Sequence, residues 1–431
     1  MSIFQTVVLG IFVVFIVAGV AVFAIFSGFG GAGDVGAVAI WGTQGLDTVQ
    51  RVIEDLRQEE DAFQEVTYVQ KNAATYQAEL INAIAAGQGP DLFFIEHKDL
   101  YAFSDKILTI PYNAISQAQF INSYIDEGAL FLTGQGSLGL PVLIDPLVMY
   151  WNRDLLAGAN VGSAPQFWND FLDLAPKITS IDTSSGVRKS AVALGEWRNI
   201  RNAKAILSTL MMQAGDPIVA RAEGGRLQSV LAATPENAAE SPGQSALRFY
   251  TEFANPSKKN YSWNRSLREA QDMFVAGDLA VYFGFASEYA TLAARNPNLR
   301  FGVSVMPQIE GNSTRLTYGT LTGLSIARGA KNPQGALAIA QRLTGARGAG
   351  LLAASMSLPS VRRDAQVDTS GSAVGAVFVE SVLIARGWID PNPATTNTIF
   401  QTMIESVSSG RSSPAEAVSD ADQELQQLLP F

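Results

Sequence analysis

The sequence predicts an α/β protein of two lobes joined by hinge crossover strands, with one N-terminal transmembrane helix in front of them. Three observations predict the two lobes. The chain has 431 residues, more than a single hydrophobic core usually organises. Apolar runs of strand length alternate with stretches of helical periodicity, which is typical of α/β folds. One long apolar stretch, residues 139–156, is interrupted in its middle by Asp145 and Pro146.

The stretch at residues 139–156 has the composition of a buried strand that passes from one core to another. Pro146 cannot donate to a strand ladder, so we expect the strand to bend or to reach a sheet edge there. Asp145 beside it needs a partner, because burying an unpaired carboxylate is costly. Asp145 is therefore predicted either to be a polar contact in a cleft between the lobes or to cap backbone groups of the hinge.

Composition and charge exclude several classes of function. The formal net charge is −10 and no run of basic residues occurs, which argues against nucleic-acid binding. Cysteine is absent, so structural disulfides, thiolate catalysis, Cys-ligated metals and a lipid-modified Cys are excluded. His97 is the single histidine, so a site built from several histidines is excluded as well. We expect neither a cofactor nor a metal ion.

The N-terminus has the composition of a membrane-spanning segment. Residues 1–33 contain no Asp, Glu, Lys or Arg, and residues 7–26 are almost wholly aliphatic or aromatic. About 20 helical residues span roughly 30 Å, the thickness of the hydrocarbon layer. A signal peptide usually has a shorter apolar core that follows basic residues. We expect residues 3–26 to be an uncleaved anchor, with a cleaved signal as the alternative, and a Gly-rich linker to follow.

The first half of the chain begins with α/β units. Residues 35–41 are predicted to form a strand, which a Gly-containing loop connects to a helix. Trp41 and Gln44 then lie beyond the C-terminal end of that strand, where open α/β sheets bind ligands. For Trp41, a place in the core is an equally open interpretation. Residues 89–96 predict a turn and a buried strand, at whose end Glu96 emerges.

The second half repeats this pattern. A strand at residues 191–195 is followed by Trp197, and a strand at residues 279–283 is followed by Phe285 and Tyr289. Before that second strand, Gly277 is predicted to end a helix.

A second crossover is predicted to follow a returning strand. This returning strand is predicted at residues 301–307, with Pro307 at its end. A loop and strand at residues 318–327, which begin with Tyr318, follow the crossing. Asn332 and Ser413 are predicted helix N-caps, each followed by Pro at the first helical position. Trp388 precedes the terminal pair of helices.

Several short motifs occur in the order found in one protein family. They are Gly89-Pro90-Asp91, Leu140-Pro141 with Tyr150-Trp151-Asn152-Arg153-Asp154, Phe274 with Gly277-Asp278-Leu279-Ala280, Asn332-Pro333, and Leu358-Pro359-Ser360. Together they resemble the extracellular solute-binding proteins of ABC importers, in the maltose-binding-protein-like branch that binds sugars. The resemblance covers about residues 35–431. Arg153 and Asp278 depart from it, since the family usually has Lys at both places.

The resemblance implies a periplasmic-binding-protein fold and a bacterial source. Lobe one is expected at residues 35–143 and 309–358, and lobe two at residues 147–305 and 360–431. It also implies an anchored, monomeric, non-enzymatic protein whose soluble part is extracellular or periplasmic. Such a protein captures a small solute, here a carbohydrate, and delivers it to the permease subunits of an ABC transporter.

Nine side chains are candidates for the ligand site, because they are aromatic or polar and follow predicted strands or hinge crossings. They are Trp41, Gln44, Glu96, Asp145, Trp197, Phe285, Tyr289, Tyr318 and Trp388. Trp41, Tyr289 and Trp388 are the candidates for stacking on the apolar faces of a sugar. The resemblance gives Asp145 the part of principal polar contact.

Other functions stay open at this point. A cell-surface glycosidase could use Glu96 and Asp145 as its pair of carboxylates. A sensor or adhesion protein could reuse the same binding fold. The sequence does not identify the solute, for which polyols, glycerol phosphates and peptides are alternatives to sugars.

Overall fold

The computed structural model describes residues 35–182, 186–222, 225–365 and 372–429. The predicted anchor, residues 3–26, lies outside them. Among the described residues, none belongs to a helix that is both long enough and apolar enough to span a membrane.

The described residues contain fourteen strands, numbered in chain order. They are β1 (Val38–Gly42), β2 (Val66–Gln70), β3 (Leu92–Glu96), β4 (Ile110–Pro111), β5 (Gly136–Ser137), β6 (Leu140–Asn152), β7 (Ser180–Asp182), β8 (Gly186–Val192), β9 (Val219–Arg221), β10 (Leu227–Ser229), β11 (Leu279–Phe285), β12 (Phe301–Val305), β13 (Thr317–Ile326) and β14 (Ala385–Arg386).

Helices cover and connect these strands. They are α1 (Leu46–Glu59), α2 (Tyr76–Ala85), α3 (Leu100–Phe103), α4 (Gln117–Ser123), α5 (Arg153–Gly158), α6 (Asp170–Ile178), α7 (Ala203–Gln213), α8 (Pro242–Glu252), α9 (Ala270–Ala276), α10 (Tyr289–Arg295), α11 (Pro333–Leu343), α12 (Ala346–Ser355), α13 (Ala373–Leu383), α14 (Pro393–Ser408) and α15 (Pro414–Gln427). Short 3₁₀ turns add Asp61–Phe63, His97–Asp99, Asp126–Phe131, Ala286–Glu288 and Arg363–Ala365.

Ten of the strands form one continuous hydrogen-bonded sheet. Its order is β2-β1-β3-β13-β6-β11-β8-β7, with β12 also paired to β6 and β14 to β13. The strand β6 belongs to both halves of this sheet. Its first half pairs with β13, and its second half pairs with β11 on one side and β12 on the other. The two lobes are therefore joined through shared strands.

β6 passes from one core to the other as predicted, and it continues through Pro146, where we expected a bend or a sheet edge. Pro146 lies opposite Gly319 of β13, and the next residue, Leu147, lies opposite Phe285 of β11. The missing N–H of Pro146 thus falls where β6 changes partner. A proline at that position lies between the two ladders and therefore breaks neither of them.

Buried apolar side chains form two clusters, one in each half of the sheet. Along β6 the boundary falls between Ile144, in the first cluster, and Leu147, in the second. Val361, Val382 and Ala385 pack in the first cluster, although the sequence placed their stretch in lobe two. The chain therefore passes between the lobes a third time near β14.

Three predicted helix ends are confirmed. The Asn332 side chain accepts the Gly335 N–H at 2.9 Å, Ser413 forms a capping box with Glu416, and Gly277 ends α9 with a φ of +82°.

From Ser163–Trp168 the sequence also predicts a helix start, but the helix α6 begins only at Asp170. The carboxylate of Asp170 accepts the N–H groups of Gln166 and Phe167 at 2.8 and 2.9 Å. These bonds hold the preceding segment in a turn and satisfy amide groups that a helix would otherwise use.

Candidate functional site

The carboxyl ends of strands from both halves of the sheet meet at Tyr318. Its ring centroid lies 5.9 Å from that of His97, which directly follows β3. On the other side it lies 6.3 Å from the ring of Phe285, the last residue of β11. The N–H of Tyr318 donates to Thr209 Oγ1 of α7 at 3.1 Å. Residues of both lobes therefore line one cleft at the start of β13, as the strand-end rule for α/β sheets predicts.

The lobe-one wall of this cleft contains a cavity of about 220 Å³. It is lined by Thr43, Gln44, Ala73, Tyr76, Gln77, Leu80, Phe94, Ile95, Glu96, Lys98, Asp99, Phe103 and Thr322. Two predicted residues, Gln44 and Glu96, thus lie together. The Tyr68 hydroxyl donates to the Gln44 carbonyl at 2.7 Å and holds this loop in place. In the described structure, Gln44 Oε1 is buried without a hydrogen-bond partner.

Charged groups at the end of β3 extend the polar lining. Lys98 Nζ lies 2.5 Å from Glu96 Oε2, and Gln77 Nε2 donates to Asp99 Oδ1 at 2.8 Å. Burial raises the pKa of Asp99 to about 6. The sequence analysis missed Lys98, Asp99 and Gln77. Applying the strand-end rule to the few residues beyond Glu96 would have found the first two.

The lobe-two wall presents a buried ion pair. Lys204 Nζ of α7 lies 2.7 Å from Asp390 Oδ2 and donates to Thr396 Oγ1 at 2.7 Å. Burial lowers the pKa of Lys204, and Asp390 opposes that effect. Asp390 also acts electrostatically on Lys98 of the other lobe. The charged groups of the two walls therefore face each other, and neither Lys204 nor Asp390 carries a sequence signal that predicts this.

Asp145 lies at the hinge, on β6 opposite Thr320. Its Oδ1 accepts the N–H of Ser287 at 3.0 Å, at the start of the turn Ala286–Glu288. Burial raises the pKa of Asp145 to about 6, and the contact with Ser287 opposes that effect. The structure thus contains the backbone-capping contact that was one of the two predictions for this carboxylate.

Two further aromatic residues lie on the lobe-one side. Tyr101, which the sequence analysis missed, is half-buried on α3 and packs against the lobe-two cluster. Trp41 is half-buried at the end of β1, and Lys71 Nζ lies 3.7 Å from its ring centroid. This cation–π contact covers one face of the indole.

Three predicted site residues have packing roles in lobe two. Trp197 is half-buried against the second cluster, and Tyr289 packs on the rings of Phe301 and Phe378 at 5.6 and 6.2 Å. Trp388 is only 3% exposed and stacks on Phe400 at 6.0 Å. The expectation that Trp388 offers a face to a ligand is therefore corrected, because that face is already packed.

A buried polar cluster lies beneath the cleft, where the three crossings meet. His97 and Glu127 are each 2% exposed, and His97 Nδ1 lies 4.0 Å from Glu127 Oε1. Burial lowers the pKa of His97 to about 3 and raises that of Glu127 well above its ordinary value. His97 is therefore neutral at physiological pH, and burial favours the protonated form of Glu127. In the part of the chain that the structure describes, no group of three or more His, Cys, Asp or Glu side chains could hold a metal ion.

Fold and cleft together define a two-lobe binding protein of the α/β class. Residues 42–350 match the profile of the family described as bacterial extracellular solute-binding protein. Because this match covers well over half of the chain, the protein belongs to that family. Among curated proteins, no sequence matches significantly.

Solved structures share the whole fold at low sequence identity. A cyclo/maltodextrin-binding protein complexed with maltotetraose has 15% identity and a TM-score of 0.74, over 93% of this chain and 98% of that one. The maltose-binding MalE of Listeria monocytogenes has 15% identity and a TM-score of 0.70, over 91% and 97%. The GacH receptor of Streptomyces glaucescens, solved with acarbose, has 18% identity and a TM-score of 0.66, over 91% and 98%.

Proposed function

We propose that this protein captures a carbohydrate in the cleft between its lobes and delivers it to an ABC importer from the outer face of the membrane. The observation that carries the proposal is the composition of the cleft. Hydrogen-bonding groups from both lobes surround the aromatic residues at the strand ends, and the strand β6 is shared by the two lobes.

The chemistry of the cleft suits a neutral, polyhydroxylated ligand. Carboxylates of Glu96, Asp99 and Asp390 can accept hydrogen bonds from hydroxyl groups, while Lys98 and Lys204 can donate to hydroxyl oxygens. Both signs of charge are present in close pairs, at 2.5 Å for Lys98 with Glu96 and 2.7 Å for Lys204 with Asp390. The rings of Phe285 and Tyr318 supply apolar surface for a sugar face. The oligosaccharide ligands of the structurally similar proteins support this choice.

Further parts of the proposal concern topology in the cell. Residues 3–26 hold the protein in the membrane, and the monomeric soluble part binds the permease subunits. Lobe one takes residues 35–143 and 309–358, and lobe two takes residues 147–305 and the chain after β14. In the stretch before β14, Val361 and Val382 pack with lobe one and Phe378 packs with lobe two. The uncharged N-terminal run and the absence of cysteine support the anchor. Mass spectrometry of protein from a native host should find the N-terminal residues still attached, and a mature N-terminus near Gly33 would contradict this.

A thermal-shift screen of the full chain in detergent tests the binding function. The probes are maltotetraose, maltose, mannotriose and tagatose, with glycerol 3-phosphate and a tripeptide as the competing classes. A saccharide present at 100 times its Kd should stabilise the folded protein by about 2.7 kcal/mol. Stabilisation by the phosphate or the peptide alone would overturn the choice of carbohydrate.

A matched pair of variants locates the binding. Lys98→Met removes a cleft cation, whereas Lys258→Met removes a cation on the outer surface, where its side chain is 53% exposed. We expect Lys98→Met to lose the saccharide response and Lys258→Met to keep it. Equal responses would place the ligand elsewhere. Incubated saccharide should be recovered intact, since release of shorter sugars would favour the glycosidase alternative.

A further inference from the structure

The single histidine has one neutral tautomer that fits its surroundings. The N–H of Leu321 donates to His97 Nδ1 at 3.1 Å. A backbone amide can only donate, so Nδ1 carries its lone pair and the ring proton lies on Nε2. Burial lowers the pKa of His97 to about 3, so this neutral form persists at physiological pH.

The proton on Nε2 determines what the neighbouring tyrosine can do. His97 Nε2 lies 3.4 Å from Tyr318 Oη, so Nε2–H donates and Oη accepts. In the described part of the chain, the Tyr318 hydroxyl has no other hydrogen-bond partner. Burial and the carboxylates of Glu127, Asp390 and Glu96 raise the pKa of Tyr318 well above its ordinary value. The hydroxyl therefore keeps its own proton, and that proton points away from His97.

The imidazole has little room to move away from this position. A Cβ at Gly387 would lie 2.6 Å from His97 Nε2 and 2.7 Å from Glu127 Oε1, so the two side chains fill the space above this glycine. On the other side, a Cβ at Gly319 would lie 2.8 Å from Glu127 Oε2. Backbone of two hinge crossings thus packs directly against the pair and holds the ring in place.

We propose that His97 is a positioning residue, which makes the Tyr318 hydroxyl a hydrogen-bond donor directed into the cleft. The Tyr318 hydroxyl donates to an oxygen atom of the ligand, such as a hydroxyl, ring or glycosidic oxygen of a saccharide. This proposal rests on the proposed carbohydrate-binding function for its ligand.

The first test needs no ligand. With one histidine in the sequence, ¹⁵N-histidine labelling of the full chain yields signals from His97 alone. We expect the Nε2–H tautomer, no titration between about pH 5 and 8, and a shifted Nε2 signal in Tyr318→Phe. Tyr289→Phe is the matched control and should leave the signal unchanged. The Nδ1–H tautomer, a titration near the ordinary histidine value, or an unmoved signal in Tyr318→Phe would overturn the proposal.

The second test is a double-mutant cycle read by calorimetry with maltotetraose. His97→Asn keeps an acceptor for the Leu321 N–H but loses the donor to Tyr318. We expect His97→Asn and Tyr318→Phe each to weaken binding roughly five- to tenfold, and the double variant to be no weaker than either single one. If the loss of affinity in the double variant equals the product of the two single losses, His97 acts independently of Tyr318, and the proposal is overturned.

The two tests separate this proposal from the proposed function. If native protein binds no saccharide, the carbohydrate function fails, while the ¹⁵N spectra still decide whether His97 donates to Tyr318. If His97→Asn does not fold, Tyr318→Phe supplies the comparison, because unchanged affinity in that variant contradicts a donating hydroxyl.

Discussion

At the scale of single residues, the hinge carboxylate Asp145 makes the backbone-capping contact that was one of its two predicted roles, while its contact with a ligand stays a prediction. Its Oδ1 accepts the Ser287 N–H, which fixes the turn after β11 against β6. The same side chain lies at the boundary between the two hydrophobic clusters, where β6 passes from one lobe to the other. Substitution can separate the two roles, because an amide oxygen replaces a carboxylate as acceptor but carries no charge.

Asp145→Asn should weaken saccharide binding and leave the melting temperature nearly unchanged. Asn retains an oxygen for the Ser287 N–H, whereas a hydrogen bond from a ligand hydroxyl to a charged acceptor is worth on the order of 1.5–3 kcal/mol. Affinity should therefore fall roughly ten- to hundredfold, as measured by calorimetry. Asp278→Asn, which removes a carboxylate paired with Arg268 on the surface, is the control. Preserved affinity together with a lower melting temperature would assign Asp145 to capping alone.

Glu127 is a buried carboxyl whose two oxygens lack hydrogen-bond partners in the described structure. Burial raises its pKa well above the ordinary value, and the charge of Arg386 opposes that effect. His97 and Tyr318 face it from the cleft side, and Arg386 itself is held at 2.7 Å by Asp126. The folded protein therefore retains a proton on Glu127 at pH values where the unfolded chain releases it.

Glu127→Gln should make the free energy of unfolding less dependent on pH. Because the pKa of Glu127 is higher in the folded protein than in the unfolded chain, where it is about 4.5, the protonated group stabilises the fold. This contribution is fully present below the unfolded pKa and is lost as pH rises through the folded pKa. The free energy of unfolding should be measured with urea at pH 5 and pH 8. Relative to the native protein, Glu127→Gln should be more stable at pH 8 than at pH 5. Glu59→Gln, at an exposed carboxylate that Arg347 keeps ionised, should show no such gain. An identical pH response in all three proteins would contradict the assignment.

Much of the site was predictable where a residue directly follows a strand. Gln44, Glu96 and Phe285 were predicted at strand ends because hydrophobic periodicity locates those ends, and the structure has them there. Their contact with a ligand, like that of Tyr318 at the start of β13, stays a prediction. Lys204 and Asp390 were not predicted as site residues, because α7 and the segment before α14 approach the cleft only through tertiary packing. Trp388 was misplaced for the same reason, since the sequence does not show that Phe400 would cover it.

At the scale of elements, the hinge is a place where backbone packs closely against side chains. Gly319 of β13 lies against Glu127, and Gly387 after β14 lies against both Glu127 and His97. The arginines at the two ends of the segment carrying α13, Arg363 and Arg386, both pair with Asp126. The third crossing is thus fixed to lobe one at both ends, with its glycine packed on the buried polar pair.

Gly387→Ala should destabilise the protein by about 1–3 kcal/mol, because the added methyl would overlap with His97 and Glu127. Gly350→Ala is a suitable control, since a Cβ there meets nothing within 4 Å and the position lies inside α12. That control should be neutral or stabilise by roughly 0.5–1 kcal/mol. Urea unfolding distinguishes the two, and equal stability of both variants would refute the close packing at Gly387.

Elements with strong local signals were predicted well, and those defined by tertiary partners were not. The caps at Asn332 and Ser413 follow from the capping residues and from the proline at the first helical position. The continuity of β6 was missed because a proline in a strand argues against a central position. Only the exchange of partners at Pro146 makes that position tolerable, and an exchange of partners leaves no local signal in the sequence.

At the scale of the whole molecule, the two lobes share β6 and β13, so their relative motion is expected to be a rotation about these strands. Lys98 and Asp390 carry opposite charges on the two walls of the cleft, so one ligand can contact both walls. A ligand that contacts both walls binds the closed protein more tightly than the open one. This difference in affinity shifts the equilibrium toward the closed form.

Saturating saccharide should therefore reduce the radius of gyration measured by small-angle scattering. The control is Asp145→Asn at a saccharide concentration of about ten times the native Kd, where its roughly ten- to hundredfold lower affinity leaves half of it or less bound, so its radius should decrease less. A radius that stays constant for the native protein at saturation would exclude closure and leave a static cleft.

The position of β13 between β3 and β6 also governs when the first lobe can form as the chain is synthesised. Its neighbours are complete by Asn152, but Thr317–Ile326 is made much later, after about ten to thirty seconds at roughly 5–20 residues per second. Until then β3 and β6 each have an unpaired edge, and fragments that end in this interval should aggregate. The sheet of the first lobe therefore cannot be completed until most of the chain has been made, a delay that is compatible with passage of the chain through a narrow membrane pore.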